Sequence, residues 1–331
     1  MRLPPFAWRI YGATMSEESL VESKAGPLEK IGHGVLRSMG RTCPEGGGTQ
    51  AEQRVLTEEE QVLLKNIVRW TVFRGAMAGA LSAIAAACAA LYAEKYYADD
   101  FVNYWLVFGG VSLLAAAVEV GFLYYDALRA VHRIASASDV ELFPEGSERS
   151  RMAGIMVRAA MELPNPPDRD PYVDPFRRAS KWQILLGALV YKGKILVTNA
   201  LAKVLVRKIL LRVAARAWLE FVAVPITAAW NAVICFWVLR EARVRAIGPS
   251  AVLEQLPKWL ADASPRLAEA AQRAVGACVA ASRDLHPNHR VMLEWMRENT
   301  GVKVTEKADD DGMFREVLLA LDESEKSRVC D

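Results

Sequence analysis

Glu119 is the residue of this sequence best suited to do chemistry. It lies in an apolar run, and ionisable groups inside membrane segments are functional candidates by default. Asp126 follows seven residues on, along the same helical face. Glu220 stands at the edge of a later apolar run, four residues after Arg216. From Pro175 to Leu219 the chain carries ten basic residues and no acidic one, among them Lys203, Arg207, Arg212 and Arg216. Carboxylates facing such a segment can relay a proton or an ion. They can instead pair with its cations and let a charged helix sit in a bundle. Isolated buried charges are so costly that pairing by Glu119, Asp126, Glu220 and Glu241 outweighs transport.

Other chemistry has little support. His286 and His289 stand at i, i+3, but no third ligand has zinc-like spacing. Asp168, Asp170 and Asp174 lie in a five-proline stretch, without the glycine or terminal glutamate of a calcium loop. The five cysteines (Cys43, Cys88, Cys235, Cys278, Cys330) include no CxxC pair. There is no GxSxG, HExxH, Walker or GxGxxG motif. The expectation is a protein with no cofactor, no metal and no enzymatic activity, and with no nucleic-acid partner.

The elements that must position Glu119 are apolar helices. Of 331 residues, 52% are apolar and 24% charged, and the net charge is only +2. Such figures exclude a low-hydrophobicity disordered chain and a disulfide-dense secreted scaffold. They fit a chain that is very apolar in its middle and polar at its ends. Gly75–Ala93 is nineteen uncharged residues, ten of them alanine. As a helix it matches the roughly 30 Å hydrocarbon core. Phe101–Val118 is a second uncharged run, and only Glu94–Asp100 separates the two, which makes an antiparallel hairpin. Trp70, Phe73, Tyr92, Tyr96, Tyr97, Phe101, Tyr104 and Trp105 frame the runs, as headgroup-level rings do. Gly75, Gly79 and Ala83 form a small-residue stripe for close helix packing, partner unspecified. Phe221–Leu239 is a third uncharged run, containing Pro225 and Asn231.

Lys65, Arg69 and Arg74 precede the first run, Arg129 and Arg133 follow the second, and Arg240, Arg243 and Arg245 follow the third. The positive-inside rule puts these ends in the cytosol. Residues 182–217 are apolar yet strongly basic, and their charges do not gather on one helical face. They can span once with paired charges, re-enter, or lie on anionic headgroups near residues 177–216. Cytosolic ends on both sides of residues 182–239 require an even number of crossings, which favours a fourth span.

The polar parts complete the organisation. Residues 1–64 read mostly as a mobile tail, and Met15 offers a second start. Residues 65–135 form the hairpin, and 136–181 form amphipathic helices and a proline-rich linker. Residues 182–245 hold the basic helix and the last span, and 246–331 form a cytosolic helical region. Within that region Ser264-Pro265 and Asp309-Asp-Asp-Gly312 mark helix starts. Phe221-Val-Ala-Val-Pro225, Trp230-Asn-Ala232, Leu239-Arg-Glu-Ala-Arg243 and Gly248-Pro-Ser-Ala251 resemble a block of an uncharacterised family of bacterial multi-pass membrane proteins. The resemblance covers about 220–251 and implies a bacterial membrane protein, without implying a mechanism.

The expected fold is all-α: an integral membrane bundle of four helices with a small cytosolic α-helical C-terminal appendage. The expected location is the cell inner membrane, with both termini cytosolic. The expected role is a non-enzymatic membrane scaffold or interaction protein, with anionic lipid and a second copy or another membrane protein as partners. The alternative is a small ion or proton-coupled transporter or channel subunit using Glu119 and the basic segment.

Overall fold

The structure, a computed structural model, describes residues 26–40, 56–138, 140, 142–143, 151–163, 172–175, 216–302 and 308–330. Nine helices lie among these residues: α1 (Pro27–Gly40), α2 (Glu58–Tyr97), α3 (Phe101–Ala137), α4 (Arg151–Ala160), α5 (Arg216–Trp259), α6 (Pro265–Ser282), α7 (Pro287–Asn299), α8 (Asp311–Leu319) and α9 (Glu323–Cys330). Three helical stretches are long and apolar enough to cross a membrane: α2, α3 and α5 from Ala223 onward. The basic stretch expected to supply a further span lies outside the described residues, apart from the start of α5.

Local sequence explains where the long helices begin. The Thr57 hydroxyl accepts the Glu60 amide and the Glu60 carboxylate accepts the Thr57 amide, a capping box that opens α2. Glu58, Glu59 and Glu60 add negative charge at the positive end of the helix dipole. Asp100 caps α3 by accepting the Asn103 amide. Only Ala98–Asp100 separates α2 from α3, so the hairpin turn is tighter than the seven-residue loop expected.

At 1.5 Å per residue α2, α3 and α5 are about 60, 55 and 66 Å long, well beyond the roughly 30 Å of hydrocarbon. The tight turn lets little of the hairpin emerge at its tip. The excess length lies at the open end, and that is where a core shared by all three long helices sits. Leu64 and Ile67 of α2, Val131 and Ile134 of α3, and Leu239 and Ala242 of α5 form one cluster there. Leu36 of α1 and Met156 and Val157 of α4 cap it. The apolar stretch of α3 looks outward instead, with Phe101 75% and Leu113 73% exposed. Large apolar side chains facing out along a whole helix suit a hydrocarbon surround.

Residues 27–40 belong to the stretch expected as a mobile tail, yet they form α1. Its Glu29 carboxylate meets Arg158 of α4 at 2.9 Å, and Gly32 lies against Val157 and Met161. The partner is 129 positions away, so local composition carried no sign of it. Helix α5 likewise continues past Pro249 and Pro257, because tertiary packing holds it on both sides. Its last turns join α6, α7 and Val173 around Leu256, Leu260, Leu293 and Met296. Helices α8 and α9 pack on α6 around Leu267 and Leu321.

The small-residue stripe of α2 finds its partner in α5. A Cβ at Gly75 would overlap the Cys235 sulfur. At Gly79 it would lie 2.6 Å from Asn231 Nδ2 and 2.8 Å from the Thr227 carbonyl oxygen. Ala83 and Ala87 continue the buried row. Thr227, Asn231 and Cys235 are themselves spaced by four, so two matching rows mesh with backbones close together.

Gly79→Ala is therefore expected to lower the thermal unfolding midpoint in detergent, at a cost of about 1–3 kcal/mol. A Cβ at Gly109 would meet nothing within 4 Å. Gly109→Ala should leave stability unchanged or raise it by up to about 1 kcal/mol. Equal effects at the two sites would refute the close-approach account.

Candidate functional site

Polar groups occupy three levels along the bundle. At the first, Arg74 of α2 meets Asp126 of α3. Arg74 Nη2 lies 2.9 Å from Asp126 Oδ1, and Nε donates to both carboxylate oxygens at 3.1 Å. Nη2 also donates to Thr71 Oγ1 at 3.0 Å. Asp126 is buried while Arg74 keeps one side toward the surface. A forked guanidinium contact of this kind fixes orientation as well as charge. It locks α2 against α3 at the edge of the apolar region.

The second level is seven residues further along α3, about 10 Å into the apolar region. Glu119 is 3% exposed, and its Oε1 accepts a 2.7 Å hydrogen bond from Asn231 Nδ2. Asn231 is 1% exposed and stands over Gly79. Ser82 and Thr227 are buried nearby along the same two helices. The Thr227 hydroxyl donates back to the Ala223 carbonyl at 2.9 Å. Proline at 225 has no amide hydrogen to give to the Phe221 carbonyl four residues earlier, so α5 lacks one backbone bond at this end.

The third level lies beyond the apolar run, where α5 meets α4 and α7. Glu241 Oε1 accepts from Arg245 Nε at 2.7 Å and from His286 Nε2 at 3.1 Å. Arg245 is 6% exposed and also donates to the Ile155 carbonyl at 3.3 Å. His286 Nδ1 accepts the Asn288 amide and so caps α7. That bond assigns the ring proton to Nε2, which donates to Glu241. The His286 bond, with Arg245 adding to it against partial burial, holds the Glu241 carboxyl down to about 2. Asn288 Nδ2 donates to the Val244 carbonyl at 3.1 Å, and only a glycine at 248 leaves room for that amide.

No family model, curated protein or solved structure matches the chain.

Of the candidate residues, Glu119 and Asp126 stand on one helix as expected, but their described partners are Asn231 and Arg74. Glu241 takes Arg245 and His286. These partners come from flanks and spans already visible in the sequence, whereas the expected pairing involves Lys203, Arg207 and Arg212. Those three lie outside the described residues, as do the side chains of Arg216 and Glu220, whose backbones are in the first turns of α5. Gly75 and Gly79 lie against α5, and Ala83 is buried. His286 and His289 lie with ring centroids 5.9 Å apart, and both nitrogens of His286 are engaged in hydrogen bonds. Burial, with His286 close by, lowers the His289 pKa.

The sequence showed Asn231, Arg74, Arg245 and His286 without showing that they would be the partners of these carboxylates. An asparagine in an apolar span was the one signal available, since it must find a polar partner in hydrocarbon.

Two outcomes follow. Asp126→Ala should destabilise the bundle by about 1–3 kcal/mol, between an exposed and a fully buried pair. Adding Arg74→Ala should cost less than the two single changes together, measured as coupling in a double-mutant cycle. The Glu241 pKa is depressed by folding, so its stabilisation is present above the ordinary value near 4.5 and is lost as pH falls toward 2. The effect is modest because the Glu241 side chain is 41% exposed. The protection factors of the α7 amides, taken against the intrinsic exchange rate at each pH, should fall as pH drops across that window in the wild type, and Glu241→Gln should flatten the dependence.

Proposed function

We propose that this protein is a non-enzymatic membrane scaffold that holds a helical module at the cytosolic face of the bacterial inner membrane. The observation that carries the reading is α5. A single helix of 44 residues runs from the apolar bundle through the α1–α4 cluster into the C-terminal cluster. The Glu241–Arg245–His286 contacts tie the module to it. A module joined through a continuous helix is displayed in a set orientation, as an interaction platform requires. Bacterial origin rests on the resemblance in residues 220–251.

A fourth crossing is part of the proposal. The N-terminal end of α2, the C-terminal end of α3, and α4 share one cluster with Val238–Ala246 of α5. Val173 belongs with the far end of α5, beyond that cluster. Because Gly75 faces Cys235 and Gly79 faces Asn231, α5 runs antiparallel to α2. Phe221 therefore stands toward the hairpin tip. The chain between residues 175 and 216 has to pass from one end of the bundle to the other, and one crossing accomplishes this. The exposed basic residues at the open end support a cytosolic location for it and for both chain ends.

A second reading has one observation in its favour. Among the described residues, buried Ser82 Oγ and Asn231 Oδ1 have no hydrogen-bond partner. Polar atoms left over beside a buried carboxylate suit an ion or proton path through Glu119.

Flux measurements separate the readings. Proteoliposomes bearing the wild type or Glu119→Gln should show the same proton and cation leak as empty vesicles. A leak that requires Glu119 would overturn the scaffold reading. Topology has its own measurement. In a cysteine-free background, a cysteine at Ala98 should react with an impermeant maleimide on intact cells, and one at Ser324 only after lysis. Labelling at 324 on intact cells would defeat the orientation.

A further inference from the structure

We propose that Lys65, Arg69, Arg129, Arg133, Arg240 and Arg243 form a collar that binds the headgroups of anionic phospholipids. The inference rests on the membrane reading and adds to it a lipid class and a binding surface.

The collar residues come from all three long helices. Lys65 and Arg69 stand on α2, Arg129 and Arg133 on α3, Arg240 and Arg243 on α5. Arg243 is half-buried and the other five are exposed. The Arg74–Asp126 contact fixes a common level for α2 and α3, and the meeting of Gly75 with Cys235 fixes it for α5. From that level, residue counts put the six roughly 4–14 Å further toward the open end. An interfacial layer roughly 5–8 Å deep, extended by the reach of long basic side chains, covers that band.

Rings mark the same depth. Trp70, Phe73, Phe236 and Trp237 are exposed beside the collar. Arg240 lies over the Trp237 ring at 5.4 Å. Tryptophan prefers the headgroup level, so the rings and the cations indicate one boundary independently.

The charge of the band is not cancelled by the described acids around it. Asp126 is taken by Arg74. Glu241 is taken by Arg245 and His286. Glu29 is taken by Arg158, and Glu162 is engaged as well. Glu58 and Glu59 stand more than 20 Å from the Arg74 level, several residues beyond Lys65. At roughly 8 Å of screening length they do not neutralise the collar as a whole. Six cations at headgroup depth match phosphates of an anionic leaflet, and each adds to the attraction.

The full chain, reconstituted in vesicles, provides the test. Tryptophan quenching by acyl-brominated phosphatidylglycerol is compared with quenching by acyl-brominated phosphatidylcholine. The wild type should prefer the anionic lipid by roughly threefold or more at low salt, and the preference should shrink in 1 M salt. R69Q/R129Q/R240Q should bring the ratio near one. K65Q/R133Q/R243Q provides the same measurement if the first variant does not fold. A wild-type ratio of one, or a ratio unchanged in a folded variant, overturns the collar. Failure of the membrane reading looks different: the chain leaves the vesicles in alkaline carbonate and neither lipid quenches it.

Discussion

Glu119 and Asn231 can hydrogen-bond inside an apolar bundle only because α2 lets α5 come close at Gly79. A buried carboxylate needs donors from the protein, since hydrocarbon supplies none. Asn231 supplies one at 2.7 Å. A side chain at position 79 would occupy the place of the Asn231 amide and press on the Thr227 carbonyl. Once α5 is fixed against α2 at this depth, the register of both helices is fixed too. Cys235 then falls opposite Gly75, and the Val238–Ala246 stretch falls beside Leu64 and Ile67.

That register is transmitted beyond the apolar region. The Arg74–Asp126 contact holds α3 to α2 at the edge of the apolar region, and the core shared with α1, α4 and α5 begins below it. Helix α5 carries the same alignment to Glu241 and Arg245, where α4 and α7 dock. Packing in the apolar bundle and packing in the two helical clusters are thus one mechanical unit, joined by helices much longer than a bilayer requires. The outward apolar face of α3 fits this division, because in hydrocarbon an exposed leucine costs nothing.

Cysteine, histidine and carboxylate groups that suggest chemistry elsewhere serve cohesion here. Cys235 is a small packing group at a helix crossing. His286 is a helix cap and a donor to Glu241.

Hydropathy and charge by themselves determined the helical class, the hairpin of α2 and α3, the apolar part of α5 and the basic flanks. Ser264, Asp310 and Thr57 mark helix starts by local hydrogen bonding that any reader of the chain can anticipate. Such features depend on neighbours within a few residues. Only the tertiary structure decided which groups meet. Glu29 and Arg158 are 129 positions apart, and Glu119 and Asn231 are 112 apart. Arg74 looked like one more flanking cation until Asp126 was placed beside it. The stripe at Gly75, Gly79 and Ala83 showed that something packs closely, while α5 as its partner follows from the fold. Periodicity records which face of a helix is apolar, and the choice of what covers that face belongs to packing in three dimensions.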